Sequence, residues 1–202
     1  LGGIIAGIAF SPDGKTVATA AGGPNCVVLW DIVHRKRISP KNHKLSQELI
    51  DEITFSPDGK TIAIGSWCSG RLELWDVASG KCTSELVERG SVPTIAFSTD
   101  GKTLFAYKFA DGLERWDVST GKRAKTAIPN LDYRCTGLTR GGKLLATAID
   151  LDKGGDKLQV WDVSTAKELI AINFPRSVSR LLRPANRSAN SANKTNVLGS
   201  WD

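Results

Sequence analysis

The dipeptide Trp-Asp occurs five times in this chain, at Trp30-Asp31, Trp75-Asp76, Trp116-Asp117, Trp161-Asp162 and Trp201-Asp202. The intervals are 45, 41, 45 and 40 residues, and five of the six tryptophans sit in this one context. A period of about 40–45 residues marks an array of supersecondary units, each too small to bury its apolar face alone. A pair that recurs once per unit serves the unit. All ten residues are therefore read as scaffold and not as a site.

Two further motifs keep step with the first. Phe10-Ser11-Pro12-Asp13-Gly14-Lys15-Thr16 recurs unchanged as Phe55-Ser56-Pro57-Asp58-Gly59-Lys60-Thr61, and with one change as Phe97-Ser98-Thr99-Asp100-Gly101-Lys102-Thr103. After the Trp comes Asp76-Val77-Ala78-Ser79-Gly80-Lys81, repeated as Asp117-Val118-Ser119-Thr120-Gly121-Lys122 and Asp162-Val163-Ser164-Thr165-Ala166-Lys167. In Ser-Pro-Asp-Gly, proline presets φ at the second turn position, Asp suits the third, and Gly supplies positive φ. The motif predicts a tight reversal, with a three-residue loop and bulge as the natural candidate. Short apolar runs flank it, Ile4 to Phe10 and Thr16 to Ala20, and Val27-Val28-Leu29-Trp30 follows a polar turn. The Asp-Val-x-Ser/Thr-Gly-Lys element predicts a third reversal into a weaker fourth strand. Four short antiparallel strands per repeat make one propeller blade.

On these motifs the chain resembles the WD40-repeat family, in the regular style of its bacterial members, over essentially its whole length. The resemblance implies an all-β fold, a WD40 β-propeller with four complete four-stranded blades plus a partial fifth. Its strands would run from the central channel outward, with Trp-Asp ending the third. The expected blades are 1–44, 45–90, 91–131, 132–175 and a partial 176–202, in a single WD40 propeller domain. Rings of about seven blades are usual in such propellers, so the expectation is an open arc from a larger ring. The missing strands would lie outside these residues. Leu1 stands first and there is no Met, so the natural start is expected upstream.

The repeat breaks in informative places. The fourth turn is Leu138-Thr139-Arg140-Gly141-Gly142-Lys143, with Gly142 at the positive-φ site. The later loop Asp150-Leu151-Asp152-Lys153-Gly154-Gly155-Asp156 clusters carboxylates, but its spacing is not that of a calcium-binding EF-hand loop, and a solvated turn is favoured. Leu182-Arg183-Pro184-Ala185-Asn186-Arg187-Ser188 keeps a 19-residue lead to Trp201, with Asn186 replacing Gly. The strand after it has little to bury, which predicts the least ordered part of the chain. Two formal glycosylation sequons, at Asn186 and Asn193, matter only in a secreted eukaryotic protein. The Gly-His dipeptide of the family is absent, and neither His34 nor His43 stands at its place. In the family that His joins a strand Ser/Thr, a turn Asp and the Trp in a buried hydrogen-bonded set. Only Asp111 and Asp156 lie near the turn position here, so apolar packing and hairpins are expected to matter more than that network.

Charge and cysteine content exclude little by themselves. The net charge is +6, concentrated in Arg176, Arg180, Arg183, Arg187 and Lys194, and around His34-Arg35-Lys36-Arg37 with Lys41 and Lys44. Neither cluster is interleaved with aromatics, so nucleic acid is disfavoured as a partner. No apolar run approaches the length of about 18 residues that a membrane helix needs. Cys26, Cys68, Cys82 and Cys135 form no C-x-x-C pair, so a metal site is not expected, and reduced, packed thiols are the favoured reading.

No nucleophile elbow, metalloprotease helix or dinucleotide glycine motif is present. Asp-Gly-Lys-Thr imitates the tail of a phosphate-binding loop, but it lacks the leading Gly and sits in a β-turn. The chain reads as a non-catalytic scaffold without a cofactor that presents loops to other proteins or peptides, besides further blades of its parent chain. Function is expected where the repeats differ. With the strands of each repeat labelled a to d in chain order, the candidates are Trp67 and Arg71 on the second b–c connection, His43 and Lys44 between the first two blades, and Lys108 and Tyr133. Three other readings stay open: a sensor propeller attached to an enzymatic domain such as a kinase, a small-ligand or catalytic propeller, and a nucleic-acid binder.

Overall fold

A computed structural model describes residues 5–21, 27–38, 50, 52–66, 70–86, 92, 94–108, 112–126, 128, 135–151 and 155–174. The strands fall where the apolar runs predict. The first sheet comprises β1 (Ile5–Phe10), β2 (Thr16–Ala21), β3 (Val27–Asp31) and β4 (Lys36–Arg37). The second comprises β5 (Glu52–Phe55), β6 (Thr61–Gly65), β7 (Leu72–Asp76) and β8 (Lys81–Glu85). The third is β9 (Thr94–Phe97), β10 (Thr103–Lys108), β11 (Gly112–Asp117) and β12 (Arg123–Lys125). The fourth is β13 (Cys135–Leu138), β14 (Leu144–Leu151), β15 (Gly155–Asp162) and β16 (Lys167–Phe174). Each is an antiparallel meander in sequence order. There is no helix among the described residues, and hence none long and apolar enough to cross a membrane.

The innermost strands β1, β5, β9 and β13 lie side by side and place the four blades in an arc. Among the described residues, no sheet joins the first blade to the fourth. The arc is open. The fifth repeat, with Trp201 and Asp202, lies outside the described residues, as do Trp67, His43, Lys44 and Tyr133.

The first reversal is one residue longer than the sequence suggests. Ser11 N–H donates to Thr16 O at 2.9 Å, so Ser11 and Thr16 close the hairpin and residues 12–15 form its loop. Gly14 N–H donates to Ser11 O at 3.0 Å, with Gly14 at φ 68°. The serine side chain accounts for the extra residue. Its hydroxyl accepts the Thr16 N–H at 2.9 Å and donates to Asp13 Oδ1 at 2.6 Å, while Asp13 also takes the Lys15 N–H. The same bonds recur around Ser56 with Asp58 and around Ser98 with Asp100. In the fourth blade Thr139 takes over the serine's role toward Leu144. Gly142 keeps φ at 65°, as its place in the motif predicts.

Between blades the packing is apolar and repeats itself. One face of each sheet carries a row from the inner strand outward: Phe10–Val17–Trp30, Phe55–Ile62–Trp75, Phe97–Leu104–Trp116 and Leu138–Leu145–Trp161. The opposite face carries small and aliphatic residues in the first two blades and also aromatic ones in the third, and the two kinds of face meet. The second blade's row sits against Ala18, Ala20 and Leu29. That of the third sits against Ala63, Leu72 and Leu74. Tyr107, Leu113 and Phe105 receive that of the fourth. Burying each large apolar side chain in such a seam contributes roughly 1.5–3 kcal/mol.

Candidate functional site

The four described Trp-Asp pairs are consumed by their own blades. Each of these Asp residues turns its carboxylate onto the reversal that follows. Asp76 Oδ1 accepts the Ser79 N–H at 2.7 Å and its hydroxyl at 2.6 Å. Asp117 Oδ1 accepts from Ser119 and Thr120, and Asp162 Oδ1 from Ser164 and Thr165. These bonds, led by the side-chain hydroxyls, hold both carboxyls down at about 2. In the first blade Asp31 takes the His34 N–H at 2.9 Å and lies 2.7 Å from His34 Nδ1. The basic segment His34–Arg37 is thus an exposed turn leading into β4.

The four described tryptophans divide into three kinds. Trp30 and Trp161 donate their indole N–H to Thr19 and Thr147 on the neighbouring strand, at 3.1 and 3.2 Å. Part of the network that the resemblance implies is therefore present without the His. In the second blade Ile64 stands where Thr19 does, and Trp75 donates instead to Glu73 Oε2 at 2.9 Å. In the third blade Ala106 holds that position, and Glu114 lies opposite it on β11. Here Trp116 Nε1 is buried without a hydrogen-bond partner among the described residues. Its ring instead takes the Arg123 guanidinium over its face at 5.8 Å, and Arg123 also bonds Glu114 at 3.3 Å.

Glu73 and Glu114, buried to 6% and 0% exposure, are residues that sequence reasoning missed. The signal was present. Glu73, Glu114 and Gln159 each stand two residues before a repeat Trp, and alternation along a strand puts such a pair on one face.

Arg71 is the one b–c loop candidate whose surroundings are described. It follows the turn closed by Ser66 N–H to Arg71 O at 2.9 Å, with Gly70 at φ 70°. Its guanidinium is about one-third exposed and pairs with Glu73 Oε1 at 3.1 Å, so the loop is wired to Trp75 through one buried carboxylate. Lys108 corrects the picture of an open lysine. It ends β10 at 1% exposure, beside fully buried Tyr107, because β10 runs on to pair Lys108 with Gly112. The structure does not gather Arg71 and Lys108 into one patch, since Arg71 opens β7 and Lys108 is enclosed in the next blade.

The acidic stretch of the fourth repeat is partly strand, with Asp150 paired to Asp156 across β14 and β15. Among the described residues no three His, Cys, Asp or Glu side chains group as a metal site would require. Cys82 is a free, half-buried thiol, and burial pushes its pKa up. Residues of β1, β5, β9 and the β13–β14 turn line an open cleft of about 490 Å³. Ile8, Phe10, Ile53 and Phe97 contribute its apolar wall, and Glu52 and Arg140 its charges.

Fold and repeat together define a β-propeller of WD40 type. The family described as "WD domain, G-beta repeat" matches residues 2–31, which contain the first three strands of the first blade. The first repeat thus matches the WD40 repeat, and the four described sheets have the blade architecture of a β-propeller. Comparison with curated proteins gives no match. Among solved structures, hydrazine synthase of Kuenenia stuttgartiensis is similar over 85% of this chain, with a TM-score of 0.69 and 16% identity. This chain spans about half of that one, 49% of its length. At such identity the likeness shows the fold alone.

Proposed function

We propose that this chain is a non-catalytic scaffold that binds other proteins or peptides through the loops in which its repeats differ. One observation carries the reading. The described polar residues that recur with the repeat are spent inside their own blades, Ser and Asp in the turns and most of the tryptophans on Thr or Glu. What remains variable is the connections, held by a rigid frame. WD40 repeats generally mediate protein interactions, and Arg71 with its neighbour Trp67 is the pair we select, since Arg and Trp dominate interface hot spots. His43, Lys44 and Tyr133 remain secondary candidates, whereas burial argues against Lys108.

The test is affinity capture with the full-length protein, repeated with Trp67→Ala and His43→Ala. Specific capture that either change weakens at least about fivefold supports the reading, such a change being about 1 kcal/mol. Capture that neither change weakens refutes the choice of face. No saturable protein partner refutes the scaffold reading itself.

The cleft of about 490 Å³ favours a second reading, a small-ligand propeller, because its size falls within the range of ligand pockets. Glu52→Gln and Arg140→Ala would abolish ligand binding in that case and leave protein capture intact. Attachment to an enzymatic domain is compatible with either reading.

A further inference from the structure

The groove between neighbouring blades repeats from one junction to the next, but its charge does not. Between the second and third blades, at the end that carries the a–b and c–d reversals, it measures about 610 Å³. Asp58, Asp100 and Asp117 line it with Lys102. Between the third and fourth blades the same groove measures about 570 Å³. Lys143 and Asp162 stand there in the places of Lys102 and Asp117, while Gly141 replaces Asp100 and Arg115 joins the wall. Three aspartates with one lysine thus become two cations with one aspartate. A repacked seam brings Arg115 there. Phe105 pairs with Arg115 across β10 and β11, where the first two blades pair Ala18 with Leu29 and Ala63 with Leu74. Those leucines are buried, at 6% and 1% exposure, whereas Arg115 is exposed. The Phe105 ring fills the seam in their stead, so close to the facing turn that a Cβ on Gly142 would lie 2.2 Å from it. The guanidinium is thereby left to the groove.

We propose that this groove binds a phosphate monoester presented by a partner protein, held between Arg115 of the third blade and Lys143 of the fourth. Neither cationic side chain has a hydrogen-bond or ion-pair partner among the described residues. Asp162 pairs with neither of them, and its Oδ1 is occupied by the Ser164 and Thr165 hydroxyls and the Thr165 N–H. A carboxylate carries a single charge. A phosphate monoester carries about −1.5 to −2 at pH 7 and three acceptor oxygens, which suits a planar guanidinium and an ammonium together. The groove is open rather than enclosed, as a side chain delivered by another protein requires. Antiparallel pairing puts it at the opposite end of the blades from Arg71 and the b–c connections. It therefore goes beyond the loop reading, and its test is separate.

The full chain is titrated with N-acetyl-phosphoserine amide at constant ionic strength, and its backbone amides are followed by NMR. N-acetyl-aspartate amide and inorganic phosphate are the comparison probes. Saturable shifts are expected at Gly141–Lys143 and Ser164–Ala166, and none in the acidic groove at Asp58–Lys60. Arg115→Leu restores the residue of the first two blades, and Lys143→Gln removes the second charge. Each should weaken binding of the phosphoserine probe at least about fivefold, as loss of one charge-assisted contact predicts. Unchanged affinity in either variant overturns the proposal, and so do equal shifts in both grooves or no saturable shift at all. Equal affinity for the aspartate probe overturns the choice of phosphate. Inorganic phosphate that binds as tightly as the phosphoserine probe overturns the partner protein as the source. If Arg115→Leu fails to fold, Lys143→Gln decides alone.

Discussion

Trp75 donates its indole N–H to Glu73, two residues earlier on β7, at 2.9 Å. The carboxylate's other oxygen takes Arg71 at 3.1 Å, so one buried group satisfies both a scaffold tryptophan and a loop arginine. Glu73→Ala should cost about 1 kcal/mol in urea unfolding, because it removes the acceptor of a half-buried indole N–H. Glu73→Gln keeps an acceptor for the indole and should cost less. Equal losses for the two substitutions would show that the indole bond contributes nothing. The same wiring means that lost binding in Arg71→Ala is informative only if the stability of the variant is measured beside it.

Thr19 and Thr147 do the same job in different surroundings. Thr147 is 1% exposed and Trp161 9%, whereas Trp30 is 37% exposed. Water can replace the hydroxyl at Trp30 and not at Trp161. Thr147→Val should therefore lower stability by about 1–2 kcal/mol and Thr19→Val by clearly less. Denaturant midpoints of the two variants give the comparison directly.

Arg35 and Ala166 stand at φ 53° and 55°, where the second and third repeats have Gly80 and Gly121 at 60° and 65°. A side chain there strains against its own backbone. Arg35→Gly and Ala166→Gly should each stabilise the chain, by about 0.5–1 kcal/mol after the extra freedom glycine gives the unfolded state. A fall in melting temperature for both would contradict the strain argument.

Gly14 and Gly142 share a turn position and nearly the same φ, 68° and 65°, but not the same neighbours. A Cβ on Gly14 meets nothing within 4 Å, while one on Gly142 would fall 2.2 Å from Phe105 Cδ2. Gly14→Ala should cost only the backbone strain, roughly 1 kcal/mol. Gly142→Ala must also displace a ring from the seam between blades three and four, adding roughly 1–3 kcal/mol for overpacking. Thermal melts that rank the two substitutions equally would refute this.

The turn aspartates set the acid limit. Asp117 and Asp162 titrate at about 2, and Asp13, Asp31, Asp58, Asp76 and Asp100 also lie below the ordinary value of 3.8. A depressed folded-state pKa means that the unfolded chain binds protons first. Their contribution is therefore complete above the unfolded pKa and is lost as pH falls toward 2. Melting temperature should be flat from pH 7 to 5 with respect to these groups and fall between 4 and 2. Asp117→Asn with Asp162→Asn should flatten that fall.

Much of this fold is legible in local chemistry. Ser-Pro-Asp-Gly supplies its own acceptor, preset φ and left-handed glycine, so the bonds that shape the turn run between its own residues. The Trp-Asp period likewise places strand c and the reversal after it, because the Asp bonds the backbone two and three residues on. The extra loop residue at Ser11 was not legible, since it depends on whether a hydroxyl or a carbonyl takes the Thr16 N–H. Nor was the burial of Lys108, which depends on how far β10 continues past Tyr107. The candidate loops were chosen as departures from the repeat, and only Arg71 can be set in its surroundings.

The opening repeat therefore determines the blade, its four strands and its turns, since each rests on contacts within about 45 residues of chain. Tertiary structure decides what the repeated residues experience. Phe10 and Phe97 hold the same place in the same motif, yet one is 64% exposed and the other 3%, because among the described residues only the second is covered by a neighbouring sheet. Trp75 and Trp116 likewise differ in partner because Ile64 and Ala106 replace a threonine on the strand beside them. Sequence period specifies the unit. The neighbour across the seam specifies burial, and burial determines what each polar bond is worth.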